Sequence, residues 1–533
     1  MHSVFLSGLM GSGKSTLGAM VAARLGLPFV DTDRELEREA GRTVAELFSS
    51  EGEPAFRARE RALALRLMRD GVVRVVAFGG GTVTNDEVRH AALDAGTLVT
   101  LRAPTETLVA RTAAAGSVRP LLGGSPEAMV QRLRELSLAR AAAYAECHGT
   151  VGTDRPLENA LEDVLRIVAR RPVAMPLGER SYVVDVIDGD PSRSTDAIAA
   201  LRPSSLIVVT DANVAEARKD DLASLLRAGL APSRVVTLPP GEVHKTLPQV
   251  AAIWDAALGQ GIDRNAVVIT LGGGVVGDMG GFAASTLLRG IRFVQLPTTL
   301  LSMVDASVGG KTGFDHPTGK NLVGTFHQPS HVVADLAHLS TLPDREVRAG
   351  LAEVVKIALT CDAALFEDLE RAGRAVLEDR THLQAVVRRA IELKAWVVRQ
   401  DEREAGLREV LNFGHTIGHA VESGAEYTQL LHGEAIAMGM VAELALGERL
   451  GLSPSGLRGR TARLLEALGL RAEPSNAEMV AARPFLGADK KRRGSHVRVP
   501  LPSAVGACTV HPLELALLED GPNFGSLPSA PVP

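Results

Sequence analysis

Short apolar runs punctuate the first third of the chain: SVFLSGL at 3–9, VVRVVAFGG at 72–80 and TLVTLR at 97–102. Charged stretches of helical character, such as Asp33 to Arg42, lie between them. This alternation predicts the βα rhythm of a doubly wound parallel sheet up to about residue 170. A helical pattern, PLENALEDVLRIVARR, then stops at Pro172. Proline disfavours helix in the residue before it, so a boundary is expected there. A second α/β segment follows, with strands expected in SSLIVVTDANV, SRVVTLP, NAVVITLGGG and IRFVQLPTT. Beyond about residue 342 the strand pattern ends and amphipathic helical patterns take over, as in LQAVVRRAIELKAWVVRQ and EAIAMGMVAELALGERLG. The expected organisation is an α/β domain over 1–170, a second α/β domain over 173–342 and an all-α domain over 343–518. The Gly-, Pro- and Ser-rich tail 519–533 is expected to be disordered. No internal repeat is visible.

A length of 533 residues exceeds what one hydrophobic core usually supports, so two or three domains are expected. Hydrophobic residues at 45% with charged residues at 23% describe a soluble globular protein, and a net charge of -5 gives no electrostatic case for nucleic acid or an acidic membrane. Small-molecule partners are expected instead. The N-terminus has no basic leader and no apolar run reaches membrane-spanning length, so a cytoplasmic location is expected. Cys147, Cys361 and Cys508 are too scattered for a disulfide framework or a CxxC metal site and read as ordinary buried thiols.

GLMGSGKST at 8–16 satisfies GxxxxGK[ST] between an apolar strand and a helix. Its glycines let backbone N–H groups turn toward a phosphate, Lys14 brings a positive charge to the transferring phosphoryl group, and Ser15 can ligate Mg2+. Nucleotide contacts are therefore expected from Gly11, Ser12, Gly13, Lys14, Ser15 and Thr16. FVDTD supplies Asp31 and Asp33 at a strand end, FRARE supplies Arg57 and Glu60, FGGGT supplies Gly79, Gly80 and Gly81, RPLL supplies Arg119, and ARAAAY supplies Arg140. Taken singly, these are solvated charges or tight turns. In this order and spacing they resemble shikimate kinase over residues 1–165. The resemblance implies that Asp33 is general base to the acceptor hydroxyl. It implies that Arg57 and Arg140 hold a carboxylate, that the three glycines admit the shikimate ring, and that Arg119 closes over ATP from a lid between Ala110 and Gly124. Arg155 is a weaker candidate for an adenine contact.

LGGGVVGDMGGF at 271–282 follows the strand AVVIT, a setting in which a glycine turn lets backbone meet a pyrophosphate. TDANV and PPGEVHKTL stand at further strand ends. With QLPTTLLSMVDASVGGKTGFDHPTGKNLVGTFHQP, the pattern resembles dehydroquinate synthase from about 173 to 515. The implied cofactor is NAD, touched by Asp211, Asn213, Glu242, Lys245, Gly274, Val275, Val276, Gly277, Asp278, Thr298, Thr299, Lys311, Lys320 and Thr341.

NFGHTIGHAVE sets His415 and His419 on one helical face, which is also where ordinary core residues lie. Glu353 in GLAEVVK and His432 in LHGEA offer a further carboxylate and imidazole. Two nitrogens and one carboxylate would leave zinc open positions for catalysis. By resemblance the ligands of Zn2+ (or Co2+) are Glu353, His415 and His432, with His419 left to bind substrate or move protons. The cations Arg289, Lys311, Lys356, Lys394, Arg408 and Lys490, with Asn321 and Asn412, suit a substrate that carries phosphate and carboxylate. In the family this is 3-deoxy-D-arabino-heptulosonate 7-phosphate; Lys490 is chosen over its neighbour Lys491. Catalytic roles are expected for Lys14, Asp33, Arg119, Lys311, Lys356, Lys394, Arg408, Asn412 and His419, and a homodimer through the second half, with Arg289 reaching a neighbouring site.

The fold class expected is therefore α/β: a P-loop kinase domain, a Rossmann-like NAD-binding domain and a helical metal domain. Three rivals keep parts of this picture. One is a nucleotide-sensing module over a single active enzyme, one another small-molecule kinase joined to an aminocyclitol-type cyclase, and one a metal-dependent polyol dehydrogenase. The acceptor set Asp33, Arg57 and Arg140 argues against the sensor, and GGKTGF, GKN and Lys356 argue against the dehydrogenase.

Overall fold

The structure, a computed structural model, describes residues 2–114, 126–425, 430–488, 492–493 and 496–519. The chain forms two compact units, Met1–Asp185 and Val186–Pro533. The first therefore runs past Pro172, where the helical pattern breaks.

In the first unit a five-stranded parallel sheet has the order β2-β3-β1-β4-β5, with β1 Ser3–Ser7, β2 Phe29–Asp31, β3 Val75–Ala77, β4 Gly96–Arg102 and β5 Gly149–Gly152. The helices are α1 Lys14–Leu25, α2 Thr32–Ala40, α3 Val44–Arg69, α4 Asp86–Ala95, α5 Thr105–Ala114, α6 Pro126–Ala139, α7 Ala141–Ala145 and α8 Leu157–Arg170. The α3 helix is broken at Gly52, where φ is 81°. Buried apolar side chains of β1 point alternately into two cores, Phe5 into one and Val4 and Leu6 into the other, as a sheet covered on both faces requires. Strand β1 is central, with β3 and β4 on either side, so its carboxyl end is a topological switch point. A short antiparallel hairpin, β6 Val173–Met175 with β7 Tyr182–Ile187, follows α8.

The second unit contains five parallel strands in the order β14-β11-β10-β8-β9. These are β8 Leu206–Asp211, β9 Ser233–Leu238, β10 Val267–Gly272, β11 Arg292–Pro297 and β14 His331–Asp335, and an antiparallel ribbon, β12 Lys311–His316 with β13 Gly319–Phe326, is inserted before β14. Around the sheet stand α9 Ser192–Ala199, α10 Ala212–Ala217, α11 Lys219–Arg227, α12 Leu247–Gly259 and α13 Gly274–Thr286. The helical part comprises α14 Asp344–Cys361, α15 Ala363–Ala372, α16 Arg380–Gln400, α17 His415–Gly424, α18 His432–Arg449, α19 Leu457–Ala467 and α20 Asn476–Ala482.

The all-α expectation fails at its end. Three strands, β15 Arg492–Arg493, β16 His496–Ala504 and β17 Ala507–Glu514, form an antiparallel sheet against α17 and α18. Val497, Val499 and Leu501 alternate into that core with period two, and Gly506 (φ 83°) makes the turn. Among the described residues β15 pairs only with residues 496 and 497 of β16, so no described neighbour on that edge asks Pro500 or Pro502 for an N–H.

Candidate active sites

In the first unit β1 delivers the loop Gly8–Gly13 to the switch point. Gly11 and Gly13 have φ of 77° and 91°, and a β-carbon at Gly11 would lie 2.8 Å from the Leu108 carbonyl oxygen. Lys14 Nζ donates to the carbonyls of Gly8 and Leu9 at 2.9 and 3.0 Å, so the ammonium lies across the loop. Ser15 Oγ donates to Asp31 Oδ2 at 2.5 Å, a hydroxyl beside a carboxylate of the kind that suits Mg2+.

Asp33 is not at a strand end. The Asp31 side chain accepts from the backbone N–H groups of Asp33 and Arg34 and starts α2 at Thr32, so Asp33 stands in the first helical turn. One glycine run then gathers the acceptor residues. A β-carbon at Gly79 would meet Glu60 Oε1 at 2.3 Å and Asp33 Oδ1 at 2.7 Å, and one at Gly81 would meet Arg57. Arg140 Nη1 and the Tyr144 hydroxyl both donate to the Gly80 carbonyl, at 2.6 and 2.5 Å. Arg57 is held by Glu60 at 2.6 Å and by Glu53, and buried Glu60 accepts from Thr82 Oγ1 at 2.7 Å. Arg57, Glu60 and Thr82, with Glu53, Arg61 and Gly81, line a cleft of about 470 Å³.

Arg119 lies outside the described residues, as does most of the expected lid. Arg155 is turned to the protein itself, bonding the Gly152 carbonyl and pairing with Asp163. Sequence reasoning missed Arg111 and Thr153. Arg111 Nη2 donates to the Thr153 carbonyl at 2.6 Å, and Thr153 Oγ1 donates to the Ser12 carbonyl at 3.0 Å, bracing the phosphate loop. A lone Arg and a lone Thr gave no signal.

In the second unit β10 ends at Gly272 and α13 begins at Gly274, so the helix N-terminus faces the carboxyl edge of the sheet. A β-carbon at Gly277 would meet Gln295 Oε1 at 2.7 Å, so the Gln295 side chain fills the space that glycine leaves between α13 and β11. Val275 and Val276 occupy the same first turn. Lys245 Nζ lies 2.6 Å from Asp278 Oδ2 and donates to Asn321 Oδ1 at 2.7 Å. Burial opposes the Lys245 charge, but Asp278 and Glu242 raise its pKa well above the usual lysine value. Lys320 lies 3.5 Å from Glu242 and 3.0 Å from Glu422. Thr298 N donates to the Gly272 carbonyl at 3.0 Å, and Thr299 packs against Gly273. Asp211 ends β8 and caps α10 through Val214 N at 3.0 Å; Asn213 is exposed in that helix. Thr341 closes a short turn on the His338 carbonyl, and Arg289 is exposed on left-handed backbone (φ 67°).

Of the expected substrate cations Lys356, Lys394 and Arg408 are buried and Lys311 is exposed, and these four meet partners that the motifs did not reveal. A π-helical turn, Ser302–Ala306, directs Asp305 to Lys394 of α16. Burial, with Arg408 and Lys356 nearby, lowers the Lys394 pKa to about 8 even though Asp305 pulls it up. Lys311 Nζ lies 2.5 Å from Glu404 Oε2, and Asn412 Nδ2 donates to Glu404 Oε1 at 2.6 Å. Arg408 donates to the Gly309 and Glu402 carbonyls. A buried cation needs a counter-charge, which implies that acids such as Glu404 and Asp305 exist without saying which they are. Lys490 and Lys491 lie outside the described residues.

The metal candidates converge from three helices. Glu353 on α14 is 2% exposed and forms an ion pair with Lys356; its oxygens make no hydrogen bond of ordinary geometry among the described residues. Oε1 of Glu353 is 3.7 Å from His415 Nε2 and 3.6 Å from His432 Nε2, too far for hydrogen bonds and near enough to share a cation. His415 Nδ1 faces the Phe413 carbonyl at 3.1 Å, and His432 Nδ1 lies 3.5 Å from Glu422 Oε2, which leaves both Nε2 atoms pointing inward. Backing of this kind is what metal-bound imidazoles receive. Burial alone would lower the His432 pKa, but Glu353 and Glu422 raise it to about 10, a sign of how strongly this corner favours positive charge. The residues present thus fit Zn2+ or Co2+. Ligating atoms of His415, His419 and His432 also lie within 4.8 Å of one another, so His419 stands nearer the group than the resemblance implies, although it is the exposed member. Glu443 of α18, also missed, accepts from the N–H groups of Gly414 and Ile417 at 2.7 and 3.1 Å and holds the start of α17.

Residues 10–170 match the family described as shikimate kinase, residues 235–349 match 3-dehydroquinate synthase N-terminal and residues 350–492 match 3-dehydroquinate synthase C-terminal. The 3-dehydroquinate synthase of Pelobacter propionicus is 44% identical over 338 residues, 63% of this chain and 94% of that protein. That of Microcystis aeruginosa is 50% identical over 295 residues, 54% of this chain and 79% of that protein. Among solved structures, 2-deoxy-scyllo-inosose synthase with carbaglucose-6-phosphate, NAD+ and Co2+ aligns with a TM-score of 0.60 at 26% identity, over 66% of this chain and 98% of that one. 2-epi-5-epi-valiolone synthase from Streptomyces hygroscopicus, with NAD+ and Zn2+, aligns with a TM-score of 0.59 at 31% identity, over 64% and 96%.

Proposed function

The chain belongs to the 3-dehydroquinate synthase family and carries a shikimate kinase domain at residues 10–170, and on that premise we propose a bifunctional enzyme. One activity is phosphorylation of shikimate by ATP to shikimate 3-phosphate. The other is NAD- and metal-dependent conversion of 3-deoxy-D-arabino-heptulosonate 7-phosphate to 3-dehydroquinate and phosphate. The observation that carries the reading is that each unit brings acceptor or metal candidates together: Asp33, Arg57 and Arg140 on one glycine run, and Glu353, His415 and His432 from three helices.

In the kinase, Lys14 leaves the carbonyls it now bonds and meets the transferring phosphoryl group, where its charge stabilises the transition state. Ser15 and Asp31 are placed to hold Mg2+. Asp33 accepts the proton of the attacking hydroxyl, while Arg57 and Arg140 fix the carboxylate. Arg119 would close over the phosphates.

In the synthase, Gly274–Asp278 would hold NAD, which supplies reversible hydride exchange, and Glu353, His415 and His432 would hold zinc, which supplies Lewis acidity at the reacting hydroxyl. The protein's own part is electrostatic. Lys311, Lys356, Lys394 and Arg408 balance the phosphate and carboxylate of the substrate, Asn412 and Asn321 orient it, and exposed His419 can move a proton at its open face. The aminocyclitol-type rival draws support from the two solved structures, but the curated relatives at 44% and 50% identity are 3-dehydroquinate synthases. A cytoplasmic location and a homodimer through the synthase unit, with Arg289 offered to the partner, belong to the same reading. No helix among the described residues is long and apolar enough to cross a membrane.

The test uses the purified full chain with NAD and zinc. Shikimate-dependent ADP release and heptulosonate-phosphate-dependent phosphate release are both expected, and sedimentation should give a dimer. Nucleotide binding without shikimate turnover would replace the kinase reading with the sensor.

A further inference from the structure

Glu146 joins three segments: α7, the start of α4 and the turn at Gly178. It follows α7, the five-residue helix whose flanking Arg140 and internal Tyr144 both bond the Gly80 carbonyl. A helix that short does not hold itself, and no side chain caps its N-terminus. Its placement has to come from contacts around it.

Those contacts meet at Glu146, which is 7% exposed. One oxygen accepts from Arg89 Nε and lies 3.5 Å from His90 Nε2. Arg89 also donates to the Val83 carbonyl, in the turn that follows Gly81, so Glu146 ties the far side of the glycine run to α7. The other oxygen accepts from Gly178 N at 2.9 Å. Gly178 belongs to a tight turn that Ser181 knots, accepting from Leu177 N at 2.9 Å and donating to the Gly178 carbonyl at 2.6 Å. That turn packs on Ala142 of α7 and lies beyond residue 170, where the shikimate kinase match ends.

We propose that Glu146 is a positioning residue for shikimate binding, and that the segment Leu177–Ser181 is the strut it works against. Together they hold α7 so that Arg140 and Tyr144 stay at the glycine run. The inference rests on the kinase reading, since it assigns Arg140 to the substrate carboxylate. The strut is therefore a working part of the kinase unit even though it lies past its conventional end.

The test compares the full-length wild type with Ser181→Ala, Ser181→Thr and Glu146→Ala. Ser181→Ala leaves Arg89 and Glu146 in place and loosens only the turn. The shikimate KM should rise about three- to tenfold, the scale of one lost hydrogen bond, while the ATP KM stays within about twofold. Ser181→Thr should restore the wild-type value, and Glu146→Ala should give a larger rise. Amide hydrogen exchange over 140–146 should quicken in Ser181→Ala, a readout that does not depend on turnover. An unchanged shikimate KM in both alanine variants, a parallel rise in the ATP KM, or unchanged exchange overturns the proposal. Absence of shikimate-dependent ADP release in the wild type would count against the kinase reading itself, with the exchange measurement still deciding the strut.

Discussion

A β-carbon at Gly433 would sit 1.9 Å from the carbonyl oxygen of Ala349. Only glycine lets α18 touch α14 there, and the contact sets His432, the residue before it, beside Glu353, one helical turn after Ala349. The metal corner is thus built by a close backbone approach as much as by its ligands. Gly433→Ala should force the helices apart, lowering stability by about 1–3 kcal/mol and reducing bound zinc. Thermal unfolding with metal analysis checks this; full zinc occupancy in a destabilised variant would show that the approach serves packing alone.

The four candidate ligands separate by burial. Glu353 and His415 are closed in, whereas His419 faces outward. Glu353→Gln and His415→Ala should lose zinc, while His419→Ala should keep it and lose turnover. Zinc loss in His419→Ala as complete as in His415→Ala would put His419 among the ligands.

Burial, reinforced by neighbouring cations, lowers the Lys394 pKa to about 8. Its charge is therefore present below that pH and lost as pH rises through it. The KM for the heptulosonate phosphate should climb between about pH 7 and 9, and Lys394→Arg, which stays charged, should flatten the climb. Steady-state kinetics across that range is the measurement, and an equal pH dependence in both proteins would rule the lysine out.

Burial would raise the Glu146 carboxyl, but His90, Arg89 and the Gly178 N–H bring it from 4.5 down to about 2. A depressed folded pKa means that the stabilisation is complete above about pH 4.5 and fades as pH falls toward 2. The gap in unfolding midpoint between the wild type and Glu146→Gln should be widest near neutrality and shrink below pH 4.5. A gap independent of pH would assign the effect to packing.

Lys14→Met should abolish ADP release and leave phosphate release by the synthase unchanged, since the phosphate loop and the zinc corner belong to different compact units. Paired assays on one preparation check this. A matching loss in the second activity would mean that the units do not work separately.

The sequence made some of this plain because the chemistry was local. The glycines at 11 and 13 announce left-handed backbone, and the run at 79–81 announces close approach, each within a few residues. Asp305, Glu404, Glu422 and Glu443 gave no such signal. Asp305 meets Lys394 across 89 residues of chain, a pairing fixed by how a π turn and α16 pack and by no spacing in the text. The hairpin at 496–514 was hidden for another reason: its period-two pattern is short, follows long helical text, and carries two prolines, which seldom sit inside a strand.

The π turn at Ser302–Ala306 holds one residue more than an α-helical turn would. Loss of a single codon, that of Val304 for example, would let the segment relax to ordinary helix and swing Asp305 about 100° around the axis. The strands and the glycine turn at 272–274 would keep their sequence, yet Asp305 would turn away from Lys394. A lineage could retire this chemistry in one mutational step while keeping a folded, nucleotide-binding protein, so the length of that turn is the first thing to read in any relative suspected of having changed its job.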